Sequence, residues 1–453
     1  MKQRDRLELW GGIECTLNRV GHRYHDQLRF AGHHRRHDDV ERLAELGISA
    51  LRYPVLWEHV APRSLERRRF EHSDRQLRRL RAAGIEPIVG LLHHGSGPRY
   101  TSLLDPAFPQ KLAIYAECVA RRYPWLQYFT PVNEPLTTAR FSGLYGHWYP
   151  HCRDDASFAR ALLNQVQGTV LAMRAIRRHI PHAQLVQTED LGHVRSTPDL
   201  AEQAEFENER RFLSLDLLQG RVTREHPLFD YLVEAGITER ELDELCQAPC
   251  SPDLAGFNYY VTGERFLDSR AELYPAHCVG GNGERAYADV EAVRVCASGL
   301  RGPKALLTEA HARLGLPLAI TEAHLSGPPQ ERARWFSYVW SAAEAARAEG
   351  VPIRAVTAWA LFGSYGWDRL VTAGACSYEP GAFEVRGGRL VETPYAGFLR
   401  AVSRRTASVV DGGWWRTDER LIYPHTDVVA DEAAVSGCST ELERALERSS
   451  AGR

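Results

Sequence analysis

SALRYPVLWEHVAPRSLERRRFEHSDRQLRRLRAAGIEPIVGLL, residues 49–92, holds the unit that the rest of the chain repeats. Its opening, SALRYPV (49–55), is a short near-continuous apolar run, as expected of a parallel strand covered on both faces. EPIVGLL (86–92) closes the stretch with a second such run. Between them residues 73–83 carry a helical pattern, and Gly84 supplies the stop after it. Strand, helix and strand in this order form one unit of a strand–helix alternation.

Outward from this unit the same alternation runs along most of the chain. Strands are expected at LELWGGI (7–13), QYFTPV (127–132), AQLVQT (183–188), LAGFNYY (254–260), PLAIT (317–321) and IRAVTAW (353–359), which makes eight in all. Helical patterns occupy 38–46, 107–122, 156–179, 199–218, 303–314, 330–348 and 393–403. Eight repeats predict a closed parallel (β/α)8 TIM barrel of the α/β class rather than an open doubly wound sheet. Residues 1–403 read as one barrel domain. The stretches 219–253 and 261–302, rich in Gly, Pro and charge, read as loop excursions. Residues 404–453 read as a C-terminal extension that is partly disordered, with Trp414-Trp415 arguing that part of it docks.

Composition narrows the partners. The chain of 453 residues has 56 basic and 58 acidic side chains and a formal net charge of −2. Such a balance gives no electrostatic case for nucleic acid or for an anionic membrane. MKQRDRLELWGG at the start lacks an apolar signal core, and no run of 18 apolar residues follows, so a cytoplasmic location is expected. Nine scattered cysteines suggest reduced thiols rather than a disulfide framework. No G-x-G-x-x-G follows a strand, so no nucleotide cofactor is expected.

Two carboxylates carry the chemistry. In a barrel, substrate binds at the C-terminal ends of the strands. Glu134 closes YFTPVNEP at the end of the fourth strand, and Glu322 follows PLAIT at the end of the seventh. Glycoside cleavage uses such a facing pair, one to protonate the leaving oxygen and one to attack the anomeric carbon. His93 and His94 stand side by side, but no third ligand lies at metal spacing. HRYHDQLRFAGHHRRHDD (22–39) is rich in histidine, yet its interleaved arginines make it a poor cation site. A solvated or substrate-rim loop is expected there, and no metal.

The motifs together resemble glycoside hydrolase family 1, the retaining β-glucosidase and β-galactosidase family. WGGIECTLN resembles its W-G-x-A-T-S-x-Y-Q, and DDVERLAELGISALRYPVLWEHVAP its E-D-I…L-G…Y-R-F-S-I-S-W…P. IEPIVGLLHH is similar to I-E-P-x-V-T-L-Y-H-W, TPVNEP to T-x-N-E-P and LAGFNYY to L-G-I-N-Y-Y. AITEAH approximates I-T-E-N-G, and TAWALFGSYGW approximates V-W-S-L-x-D-N-F-E-W. The resemblance covers roughly residues 7–403. It implies Glu134 as general acid/base, with surroundings that raise its pKa, and Glu322 as nucleophile, kept ionised by Arg52 and hydrogen-bonded by Tyr260. Asn133 would bond the sugar 2-hydroxyl, Asn18 and His93 would contact other hydroxyls, and Trp359 and Trp367 would form apolar platforms. A carbohydrate or glycoside is the implied partner.

Several positions depart from the family pattern. Asn18 stands for a Gln, Ala323 and His324 follow the nucleophile, and Gly95 replaces an Asp. Gly366 occupies the position of the glutamate that grips the outer hydroxyls of the sugar. Asp368 is the nearest carboxylate in sequence, out of register by two. The divergent motifs also resemble the glycosidase-like N-terminal part of bacterial proteins fused to a reductase of the dTDP-4-dehydrorhamnose reductase type. That kinship implies association with a sugar-nucleotide reductase. The sequence contains no reductase half, hence no NAD(P) is expected. Beside the retaining β-glycosidase, two readings stay open at this level: a catalytically idle barrel that binds carbohydrate or a partner, and a transglycosidase.

Overall fold

The computed structural model of the chain describes residues 6–296, 298–374 and 377–417. Eight parallel strands close into a barrel: β1 Glu8–Gly12, β2 Ala50–Pro54, β3 Glu86–Gly90, β4 Tyr128–Thr130, β5 Gln184–Asp190, β6 Leu254–Tyr260, β7 Leu318–His324 and β8 Ile353–Ala358. Neighbours in sequence are neighbours in the barrel, and β8 closes onto β1 with Glu8 opposite Ala355. All eight expected strands are present.

The barrel is filled from within. One buried cluster takes a single residue from each strand: Trp10, Ala50, Ile88, Tyr128, Val186, Leu254, Ala319 and Ala355. Two large rings among smaller aliphatic neighbours fill the interior as a packed core, not a pore. The second cluster, much larger, joins the outer faces of the strands to the surrounding helices. Each helix buries a stripe there; in Glu71–Ala82 the stripe is Ser73, Gln76, Leu77 and Leu80, at helical spacing. Local signals set the ends. Asp154 accepts a hydrogen bond from the Ser157 amide to start Asp155–Arg177, and Gly315, at φ +68°, ends Pro303–Leu314.

The excursions carry more structure than the sequence suggests. The single helical pattern at 199–218 is two helices, Ala201–Arg210 and Leu213–Leu218. Residues 219–253 contain Phe229–Glu234 and Glu239–Gln247, the latter started by a reciprocal Thr238–Glu241 capping box. Strands at Glu264–Asp268, Val279–Gly281 and Ala286–Glu291 join His193–Ser196 in a four-stranded sheet beyond the ends of β5 and β6. The histidine-rich stretch is also corrected. His33 is fully buried, with Nδ1 2.6 Å from Asp39 and Nε2 3.0 Å from the Tyr53 hydroxyl, so it is a core residue rather than part of a solvated rim.

After the last barrel helix, Pro394–Arg404, the chain returns to the core. Trp415 is buried edge-on against Trp335, ring centroids 5.0 Å apart, and Trp335 stacks on Tyr259 of β6. The remainder of the C-terminal extension lies outside the described residues.

Candidate active site

A polar layer lies above the apolar fill. Isolated bridges continue the ladder from His93 to Asn133, past the ends of β3 and β4, and from Asn133 to Thr188 within β5. Glu134 comes next. Its φ of +45° is left-handed, and it precedes the short helix Pro135–Ala139, so the chain turns sharply where the carboxylate emerges. Glu189 on β5 accepts the Leu136 amide at 2.9 Å and holds that helix start.

A β-bulge aims the other acid. On a regular strand, Thr321 and Glu322 would face opposite sides. The pairing of β7 with β6 shifts register between Ile320 and Glu322, and both side chains turn to the same polar layer. Thr321 Oγ1 donates to Asn258 Oδ1 at 2.7 Å, while Glu322 meets Arg52 at 2.5 Å and accepts from the Tyr260 hydroxyl.

One network joins the two glutamates. Arg52 donates to Glu322, to the Thr321 carbonyl at 2.9 Å and to Asn133 Oδ1 at 2.5 Å. Thr188 also donates to Asn133 Oδ1, leaving the Asn133 amide nitrogen facing His93, 3.3 Å away. Asn258 donates to Glu134 Oε1 at 2.8 Å. His94 Nε2 lies 3.1 Å from Glu134 Oε2. All of these groups are buried except Tyr260, which is partly so.

The electrostatics reverse two expectations, a raised Glu134 pKa and a Glu322 kept ionised by Arg52. Burial works to raise the Glu134 pKa, but the hydrogen bond and charge of His94, with Asn258 and Arg52, outweigh it and hold Glu134 below the ordinary carboxylate value. Burial pushes Glu322 up to about 7; Arg52 pulls against it, the charge of Glu134 adds to it, and the Tyr260 hydrogen bond lowers it. The Glu134 reversal traces to a histidine facing it, a contact between residues forty positions apart.

The remaining expected residues lie around this network. Trp359 is buried, with His93 stacked parallel to it at 5.6 Å and the Arg52 guanidinium 4.9 Å from its ring centroid. Burial drives the His93 pKa well below the usual value, so the ring is neutral. Trp367 is half-exposed and lies 5.8 Å from His94. Asn18 is buried and donates to the Val371 carbonyl at 3.0 Å, so one of its amide hydrogens is engaged by the loop after β8. Gly366, at φ +69°, opens a tight turn in which its carbonyl accepts the Val371 amide; a glutamate would be strained there. Asp368 is exposed and held by Ser377, outside the network.

Four residues of the site had no role assigned from the sequence. Asn258 and His94 sit inside quoted motifs, and a buried polar residue in an apolar run was the available signal. Trp148 packs 5.2 Å from His94 and donates to the Leu370 carbonyl. Glu14, in WGGIECTLN, is buried, accepts the Thr16 amide at 2.8 Å and accepts Trp367 Nε1 at 3.0 Å. A carboxylate from the end of β1 thus stands beside Trp367, next in sequence to the position where the family glutamate is missing.

The sequence pattern of the family described as "Glycosyl hydrolase family 1" matches residues 17–370. The chain belongs to glycosyl hydrolase family 1. Among curated family relatives, it is 29% identical over 139 residues to beta-glucosidase 34 of Oryza sativa subsp. japonica, covering 29% of this chain and 27% of that protein. It is 22% identical over 406 residues to beta-glucosidase 47 of Arabidopsis thaliana, covering 80% of this chain and 74% of that one. For the first three curated relatives, the match spans only about a quarter of their length. The family 1 β-glucosidase of Thermotoga maritima superposes with a TM-score of 0.70 at 16% identity, over 88% of this chain and 98% of that one, which shows the shared fold. Among the described residues no group of His, Cys, Asp and Glu could hold a metal ion, and no helix is long and apolar enough to cross a membrane.

Proposed function

We propose that this family member hydrolyses an O-glycosidic bond by double displacement, with retention at the anomeric carbon. The observation that carries this reading is the single buried network in which Glu134 and Glu322, from opposite parts of the barrel, share Arg52, Asn133 and Asn258 as intermediaries. Nothing in barrel stability asks for two buried acids at strand ends; each carries a desolvation penalty.

Glu322 attacks the anomeric carbon while the bond to the aglycone oxygen breaks and Glu134 delivers a proton to that oxygen. Glu134 then takes a proton from water, which attacks the anomeric carbon and releases Glu322. Arg52 and Tyr260 orient the attacking carboxylate. Asn133, fixed through its carbonyl oxygen by Arg52 and Thr188, turns its amide nitrogen toward His93 and the sugar 2-hydroxyl. Trp359 and His93 form one wall of the glycone site, and Trp367 lies at its mouth. Glu14 takes up the gripping role that Gly366 cannot perform, from a different strand, and Asn18 offers its free carbonyl oxygen to one further hydroxyl. This altered grip supports a glycone other than glucose or galactose. The reading places the enzyme in the cytoplasm, consistent with free thiols at Cys15, Cys118, Cys152, Cys246, Cys250 and Cys278.

A panel of 2-deoxy-2-fluoro glycosides of different sugars, followed by mass mapping of the labelled peptide, tests the assignment. A label on Glu322 with at least one sugar is expected, together with poor turnover of nitrophenyl β-glucoside. A label on another residue, or none with any sugar, rejects it.

A further inference from the structure

Glu134 faces a histidine on the side away from Asn258. His94 Nε2 lies 3.1 Å from Glu134 Oε2, and His94 Nδ1 lies 3.0 Å from Thr138 Oγ1, one helical turn beyond Glu134. Both rings of contact are buried, and His94 is enclosed by His93, Trp148 and Trp367. With the Thr138 hydroxyl accepting at Nδ1, the other ring nitrogen meets the carboxylate either as a donor or as a lone pair.

We propose that His94 and Glu134 act as one dyad holding a single shared proton, with His94 the positioning residue that supplies and stores the proton Glu134 delivers. The inference rests on the hydrolase reading above. The proton count closes. Before reaction the dyad carries one proton, as imidazolium with carboxylate or as imidazole with carboxylic acid. As the anomeric C–O bond breaks, that proton passes through Glu134 to the departing oxygen, leaving both partners neutral and anionic respectively. In the second step water gives one proton to Glu134, and the dyad is restored.

The surroundings favour sharing. Glu134 also faces the positive charge of Arg52 and the carboxyl groups of Glu322, Glu189 and Asp190, and His94 faces the neutral ring of His93. Burial and a like charge push Asp190 to about 7, and burial takes Glu189 to about 8, so below those values each holds on to its own proton. The low-lying Glu134 has in His94 a second proton-binding group within hydrogen-bond reach. Two coupled groups with one proton release it at a higher pH than either would alone.

Two readouts test the dyad, one of them independent of turnover. In the full chain labelled with 15N-histidine, the His94 ring signals, assigned by their loss in His94→Gln, are expected to titrate about one pH unit higher in the parent than in Glu134→Gln. A midpoint that does not move between the two overturns the proposal, whether or not the protein is a hydrolase. On an aryl glycoside of the sugar that labels Glu322, His94→Gln is expected to shift the basic limb of kcat/KM to lower pH. It should also lose at least about ten-fold more on a phenyl than on a dinitrophenyl leaving group, since only the former needs acid assistance. An unmoved limb with equal losses on both substrates reduces His94 to packing and refutes the dyad; no turnover of any glycoside, with the 15N shift present, refutes the hydrolase reading instead.

Discussion

Replacing Arg52 by Met tests the electrostatic heart of the site. The guanidinium holds Glu322 at 2.5 Å and Asn133 at 2.5 Å, and all three side chains are buried. Met keeps the apolar stem and removes the charge. An opposite charge favours the ionised carboxylate, so its loss raises the Glu322 pKa from its present value of about 7. Breaking a buried pair by removing one partner costs about 3–5 kcal/mol. At 1.36 kcal/mol for each unit, a shift of at least about 2 pH units follows. Ionised Glu322 at pH 7 then falls from about one half to about one in a hundred, roughly a fifty-fold loss of nucleophile. The assay is the rate of Glu322 labelling by an activated 2-deoxy-2-fluoro glycoside between pH 5 and 10, with circular dichroism as the folding control. The acid limb should move up by about 2 units, with labelling partly recovered at high pH. A folded variant whose acid limb stays in place refutes the reasoning.

Other perturbations follow from the same geometry. Gly12→Ala places a methyl 2.4 Å from the Trp359 ring, so unfolding free energy should fall by about 1–3 kcal/mol in urea titration, and a neutral result would mean Trp359 is free to move. Burial pushes Glu189 up to about 8 whereas an unfolded glutamate titrates near 4.5; the folded form therefore binds the extra proton in that window, and stability should fall as pH rises from about 4.5 to 8. Glu189→Gln should flatten that slope, measured as denaturation midpoints at pH 5 and pH 8. Glu14→Gln removes the acceptor of a pair of charge-assisted bonds and should raise KM on the order of ten-fold with a smaller change in kcat; an unchanged KM excludes Glu14 from glycone binding.

The barrel was legible in the chain alone, because each strand had to be apolar on both faces and each helix on one stripe, and those periods are written in consecutive residues. Glu134 and Glu322 were marked by the resemblance of TPVNEP and AITEAH to the family's motifs. Arg52, Asn133 and Tyr260 were legible from the same resemblance. Which partner each acid meets is set by the folded arrangement. Glu134 lies beside His94, forty residues earlier, and Asn258, more than a hundred later. Glu14 and Trp367 meet across 353 positions, and Asn18 is engaged by Val371 over the same span. Charge stabilisation depends on distances of a few ångströms across the barrel mouth, and no local pattern encodes those. The expected direction of the Glu134 pKa failed for that reason: burial alone would raise it, and a histidine delivered by a different strand end lowers it.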